Sequence, residues 1–207
     1  MVVTDLDGTL LRSDGTPGPQ NLRTLHALGE IGVLRVVATG RSLFSAQRVL
    51  DASFPIDYLV FSTGAGIVAW PSRQMLRERS MSAEQIAEAA AALDKLGLAY
   101  MVHDAVPENH RFVYRRPRRL SAAADFERRL DRYRDYAEEW PAEAPPPPRA
   151  SQLVGIAPPS RSEAYGALVD DLKGLQVVRA TSPLDGVSRW LEIFPRGVHK
   201  SRAAEWL

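Results

Sequence analysis

Val2-Val3-Thr4-Asp5-Leu6-Asp7-Gly8-Thr9-Leu10-Leu11 opens the chain and decides how the rest is read. A short β-branched run halted by an acid and then by Asp-Gly reads as a buried strand running into a turn. Two carboxylates at i and i+2, Asp5 and Asp7, then sit at the strand's carboxyl end, where parallel sheets place their ligands. The plainer reading is a turn, since Asp-Gly is a common turn dipeptide. A calcium loop fails on spacing. It needs Gly at the sixth place and Glu at the twelfth, and counting from Asp5 these are Leu10 and Thr16.

Outward from that stretch the chain keeps a regular rhythm. Pro19 and Gly32 bracket a helical pattern carrying Leu22, Leu25, Leu28 and Ile31. Leu34 to Ala38 reads as a strand, Thr39-Gly40-Arg41 leads into a helix ending near Leu50, and Tyr58 to Ser62 gives a third strand. Strand, helix, strand, helix, strand is the order of a parallel, doubly wound sheet. The rhythm then changes. Gly66 to Trp70 and Met75 to Arg79 suggest a hairpin, and Ser82 to Leu96 a helix capped by Ser82 and ended by Gly97. Strands at Leu98–Val102 and Arg111–Tyr114, a helix from Ser121 to Trp140, a strand at Leu153–Ala157, a helix from Arg161 to Lys173, and strands at Leu175–Ala180 and Arg189–Phe194 follow. The expectation is an α/β fold: a Rossmann-like parallel-sheet core, residues 1–71 and 191–207, interrupted by an α+β domain over 72–190. Pro141 to Pro148 is a stiff proline-rich excursion inside the second domain.

With 45% hydrophobic and 25% charged residues, 207 residues suffice for two small globular domains. A net charge of +1 gives no strong pull toward nucleic acid or a membrane, so neither partner is expected. No cysteine is present, which excludes disulfides and thiolate metal sites. The N-terminus has two acids among its first seven residues and no long apolar run, so it is not a signal peptide. A cytoplasmic location is the expectation.

The block Asp5-Leu6-Asp7-Gly8-Thr9-Leu10-Leu11 resembles the first motif of the haloacid dehalogenase (HAD) superfamily. The resemblance implies that Asp5 is a nucleophile that takes a phosphoryl group. Asp7 would protonate the leaving oxygen and then activate water, and Mg²⁺ would bind at Asp5 and Asp7. The chemistry is coherent, because an aspartyl-phosphate splits one hard hydrolysis into two easier steps. A metal beside the carboxylate would neutralise charge on the phosphate.

Ala38-Thr39-Gly40-Arg41 matches the second motif in the subgroup of that family with large α+β caps. By this resemblance the Thr39 hydroxyl and the Gly40 amide bond a phosphate oxygen, and Arg41 faces substrate or cap. Thr39 also reads simply as a helix N-cap. Ser62-Thr63-Gly64-Ala65 resembles a segment that usually reads Ser-Asn-Gly-Ala, so Thr63 and Gly64 join the candidate phosphate-binding residues. Gly64-x-Gly66-x-x-Ala69 also mimics a dinucleotide fingerprint, but no helical pattern follows it and it is not after the first strand. Glu192-Ile-Phe-Pro-Arg-Gly-Val-His-Lys200 resembles the turn that delivers the family's third-motif lysine, which makes Lys200 the residue that stabilises charge on Asp5.

The fourth motif, Gly-Asp-x-x-Asn-Asp, has no counterpart, as no Gly-Asp pair occurs in the chain. The chain is therefore expected to be a C-terminally incomplete relative whose Asp5 strand lies at a sheet edge. Arg111 to Arg119 holds five arginines and reads as a solvated face beside an acidic helix, or as an anionic-ligand surface. His103, Asp104, Glu108 and His110 read as a turn, with a metal cluster as the rival. The functional expectation is a Mg²⁺-dependent phosphatase acting on a small phosphate monoester, a sugar phosphate being one candidate, through phospho-Asp5. The alternative is a degenerate or truncated relative that binds phosphate or a partner with little catalysis.

Overall fold

A computed structural model describes residues 1–117 and 124–207 of the chain. It divides into two compact units, Met1–Arg79 with Gly197–Leu207, and Ser80–Arg196.

In the first unit β1 (Val2–Asp5) pairs in parallel with β2 (Arg35–Ala38), and β2 with β3 (Tyr58–Phe61); α1 (Pro19–Glu30) and α2 (Leu43–Ala46) lie in the crossovers. β4 (Gly66–Ala69) and β5 (Met75–Glu78) add on antiparallel, giving the order β1-β2-β3-β4-β5. Val36, Val37, Leu59, Val60, Phe61, Ile67 and Val68 are almost fully buried, so the core sits on the central strands. β1 takes the edge position expected of the Asp5 strand, so it is less buried than its β-branched run alone suggested. Among the described residues it is hydrogen-bonded on one side only, and Val2 and Val3 stay about 40% exposed. The helix expected up to Leu50 is also shorter. It is one turn capped by Ser42, whose Oγ accepts from the Ser45 amide at 3.2 Å.

The second unit starts with β6 (Met81–Ser82) and α3 (Ala83–Lys95). Ser82 and Gln85 form a reciprocal capping box there, and Gly97 leaves at φ 63°. β7 (Ala99–His103), β8 (Phe112–Arg115), α4 (Ala124–Arg132), β9 (Ala137–Glu139), β10 (Arg149–Ala150), β11 (Gln152–Ala157), α5 (Ala164–Asp171), β12 (Leu175–Thr181) and β13 (Arg189–Pro195) follow. Six strands form one sheet, ordered β12-β13-β11-β7-β8-β9, while β6 and β10 make a separate small ladder. Ile86, Leu93, Leu168 and Leu172 pack on Tyr100, Val102, Leu153 and Ile193 of one face. Phe126 and Leu130 of α4 pack on Met101, Phe112, Val154 and Trp190 of the other. The long helix read over Ser121–Trp140 is corrected here: α4 ends at Arg132, and residues 137–139 pair in parallel with β8. A free strand edge offers main-chain partners that outweigh local helix propensity. The part of that reading at 121–123, and Arg118 and Arg119, lie outside the described residues.

The chain ends on α6 (Lys200–Trp206), which belongs to the first unit. The seams read near 72 and 191 lie a few residues later in the structure, after Arg79 and Arg196. β5 is hydrogen-bonded to β4 in the first sheet, and β13 is paired through Pro195 in the second.

Candidate active site

The loops at the carboxyl ends of β1, β2 and β3 bring the sequence-selected residues of the first unit together. Asp5 closes β1, and its Oδ1 accepts from the Leu6 amide at 2.8 Å and from Lys200 Nζ at 2.9 Å, a contact across 195 positions of chain. Both partners keep substantial exposure, 48% for Asp5 and 37% for Lys200. Two residues on, the Asp7 carboxylate takes a fork from Arg41, with Nε at 2.9 Å from Oδ2 and Nη2 at 2.6 Å from Oδ1. Asn21 reaches from α1 to donate to the Thr9 carbonyl at 3.0 Å, which ties down the loop behind Asp7.

Thr39 is fully buried. It is not the cap of α2, as Ser42 has that role. Its Oγ1 accepts from the Arg41 amide at 3.1 Å, so Thr39 shapes the bend that aims Arg41 at Asp7. Its carbonyl accepts from the Thr63 amide at 3.0 Å, and a Cβ placed on Gly40 would lie 3.7 Å from Thr63 Oγ1. The second and third loops therefore touch. Ser62 and Thr63 both adopt left-handed backbone, φ 49° and 59°. That conformation is costly for a β-branched side chain such as Thr63 and well tolerated by Asn.

Gly64 has a separate reason to be glycine. A Cβ there would meet the His199 carbonyl oxygen at 2.6 Å, and its φ is +103°. His199 is the N-cap of α6, so the bare backbone of Gly64 lets α6 dock and sets Lys200 against Asp5. The sequence pointed to Gly64 as a phosphate contact. Its link to Lys200 depends on a long-range approach that no spacing reveals, and so does the Arg41–Asp7 fork.

A Mg²⁺ ion prefers hard oxygen donors and takes one or two carboxylates with waters and substrate oxygens. The Asp5 carboxylate and the Asp7 main-chain carbonyl are donors of that kind at one strand end. Among the described residues no group of three His, Asp or Glu side chains gathers as a metal site, which includes His103, Asp104, Glu108 and His110. His103 is buried instead, with Nδ1 2.9 Å from the Asn109 carbonyl and Arg129 near Nε2, and burial followed by the Arg129 charge pushes its pKa down to about 3. Burial raises the Asp104 pKa. In the arginine segment, Arg115 pairs with Asp94 at 3.1 Å and Arg116 with Glu127 at 2.9 Å. The first pair ties β8 to α3, and the second ties the residue after β8 to α4.

Residues 2–207 match the family model of haloacid dehalogenase-like hydrolases. The chain belongs to that family. A curated relative, an HMP-PP phosphatase of Cronobacter sakazakii, is 36% identical over 85 residues, 41% of this chain and 30% of that protein. A 5-amino-6-(5-phospho-D-ribitylamino)uracil phosphatase of Bacillus subtilis is 27% identical over 81 residues, 39% of this chain and 32% of that one. The alignments thus span less than a third of either curated relative. Among solved structures, a Streptococcus mutans protein superposes with a TM-score of 0.72 at 20% identity, over 99% of this chain and 73% of that chain. A HAD subclass IIB sugar phosphatase superposes with a TM-score of 0.70 at 16% identity, over 98% and 72%. These likenesses carry the fold, an α/β Rossmann-like core with an inserted α+β cap. No helix among the described residues is long and apolar enough to cross a membrane.

Proposed function

We propose that this HAD-family chain is built to hydrolyse a small phosphate monoester through a phospho-Asp5 intermediate, with Mg²⁺ as cofactor, in the cytoplasm. The contact that carries the reading is Lys200 Nζ on Asp5 Oδ1 at 2.9 Å. It places one carboxylate and one ammonium at a strand end, where phosphate ligands bind in such sheets. In this reading Met1–Arg79 with Gly197–Leu207 is the catalytic core, and Ser80–Arg196 is the cap that chooses the substrate.

Asp5 attacks phosphorus as the ester P–O bond breaks, and the departing oxygen takes a proton from Asp7. Water then attacks the aspartyl-phosphate, gives its proton to Asp7, and inorganic phosphate leaves with Asp5 restored. Lys200 offsets negative charge on Asp5 and the phosphoryl oxygens. Arg41 orients the Asp7 carboxylate, and Thr39, Gly40, Thr63 and Gly64, on the loops after β2 and β3, are the candidate phosphate contacts beside it. Mg²⁺, held by the Asp5 carboxylate and Asp7 carbonyl, would supply further neutralisation of phosphate charge. The two curated relatives act on phosphorylated small molecules by their names, which supports that substrate class; a sugar phosphate is one member of it.

A second reading, a family member that binds phosphate or a partner with little turnover, draws on one observation. Both acids at the site are held by cations, and no third carboxylate joins them among the described residues. p-Nitrophenyl phosphate turnover with and without Mg²⁺ separates the two. Asp5→Asn is expected to reduce turnover to background with the thermal melt unchanged, and Asp7→Asn to slow it by roughly 10²–10⁴-fold. Metal-dependent turnover surviving Asp5→Asn removes the proposed mechanism; wild-type protein that binds phosphate without turnover favours the second reading.

A further inference from the structure

Three arginines of the Ser80–Arg196 unit line one small cavity of about 170 Å³. Arg161 comes from the turn before α5, Arg179 from β12 and Arg189 from the start of β13. In the β12–β13 ladder Arg179 stands opposite Leu191 and Arg189 opposite Thr181. Arg179 and Arg189 are therefore diagonal neighbours on one face of the sheet, within reach of each other for side chains of this length. Like charges so placed repel.

Their charge is poorly compensated. No carboxylate lines the cavity. Arg189 Nη1 donates to two neutral oxygens, Thr181 Oγ1 at 3.2 Å and the Val187 carbonyl at 3.1 Å. Arg179 rests with its guanidinium 5.3 Å from the Tyr165 ring centroid. Neither makes an ion pair among the described residues. Arg161 does have a partner, Glu163, whose side chain is 60% exposed and outside the lining. The apolar floor is Leu191, which is 1% exposed. Cations over a low-dielectric floor concentrate positive potential in the space between them.

We propose that this cavity binds a phosphate-sized tetrahedral oxyanion, either free phosphate or the phosphoryl head of a small molecule. Guanidinium forks match phosphate oxygens in geometry, and an anion between Arg179 and Arg189 turns their repulsion into attraction. The volume suits that class, as a water occupies about 30 Å³ of liquid and the cavity's 170 Å³ is close to six such shares. A phosphate with one or two waters fits, and a whole sugar phosphate has to leave its carbon skeleton outside. The site is built from one unit alone and shares no residue with Asp5, Asp7 or Lys200.

Calorimetric titration of the full chain with inorganic phosphate, without divalent metal and at fixed ionic strength, tests the assignment. R179Q/R189Q is expected to weaken phosphate binding by about tenfold or more, R179K/R189K to weaken it less, and Lys200→Ala to leave one binding event intact. Methylphosphonate in place of phosphate distinguishes the sources. Comparable affinity shows that a phosphoryl head suffices, and much weaker affinity assigns the site to the free ion. Phosphate affinity unchanged in R179Q/R189Q, or binding lost altogether in Lys200→Ala, overturns the proposal. A second reading on the unmutated chain guards against misfolded variants: ¹⁵N spectra should show the Arg179 and Arg189 Nε–H signals shift with phosphate, and signals that stay put overturn it as well.

Discussion

Asp5 and Asp7 in the first unit and Asp125 in the second are all carboxylates with close polar partners, but they are held in opposite ways. Asp5 and Asp7 pair with full cations, Lys200 and Arg41, and keep about half of their side-chain surface exposed. Asp125 is 1% exposed and accepts from two neutral donors, Ser182 Oγ at 2.8 Å and Trp190 Nε1 at 2.7 Å. Exposed ion pairs contribute about 0–1 kcal/mol because water and salt compete for both partners. A ligand or metal can displace them at small cost. A buried carboxylate has lost its water, so the hydrogen bonds that replace it become structural necessities. The first arrangement suits chemistry, and the second pins α4 to its sheet.

This contrast breaks most readily at Asp125. Asp125→Ala should lower unfolding stability by about 3 kcal/mol, because two buried donors lose their acceptor. Lys200→Ala should change it by less than about 1 kcal/mol while removing turnover. Urea melts of both variants check the pair, and equal losses would erase the distinction.

Acidification probes the same difference. Burial and then the Arg129 charge push the pKa of folded His103 down to about 3, whereas the unfolded chain binds that proton at pH ~6.5. The unfolded state therefore holds more protons between those values, and stability falls as pH drops through the window, by at most about 1.4 kcal/mol per unit from this residue. His103→Gln should flatten that slope in chemical melts followed from pH 7 to 4. An unchanged slope would show that His103 is not the group responsible.

Smaller effects are expected at two adjacent positions. Gly64→Ala places a Cβ against the His199 carbonyl at φ +103°, and should cost about 1–3 kcal/mol and reduce turnover by shifting Lys200. Thr63→Asn should instead raise stability by up to about 1 kcal/mol, since Asn accepts the left-handed backbone that Thr63 holds under strain. Thermal melts that moved the same way in both variants would contradict this account of the turn.

Much was legible in the sequence because it rests on local chemistry. A β-branched run ending in Asp5-Leu6-Asp7-Gly8 can be read without partners, and so can the Ser82 cap, the Gly97 stop and the strand–helix–strand order. Those features determined the α/β class and the candidate residues at strand ends. Other features depend on what lies alongside in space, and only the tertiary structure decided them. How far Val2 and Val3 stay exposed on β1, about 40%, is one such feature, since the edge position itself was expected from the sequence. Residues 137–139 became a strand because β8 offered main-chain groups to pair with. Arg41 met Asp7, and Gly64 admitted α6, through contacts across 34 and more than 130 residues. Local propensities differ by about 1 kcal/mol or less per residue, so a few long-range hydrogen bonds or one steric approach can reverse them.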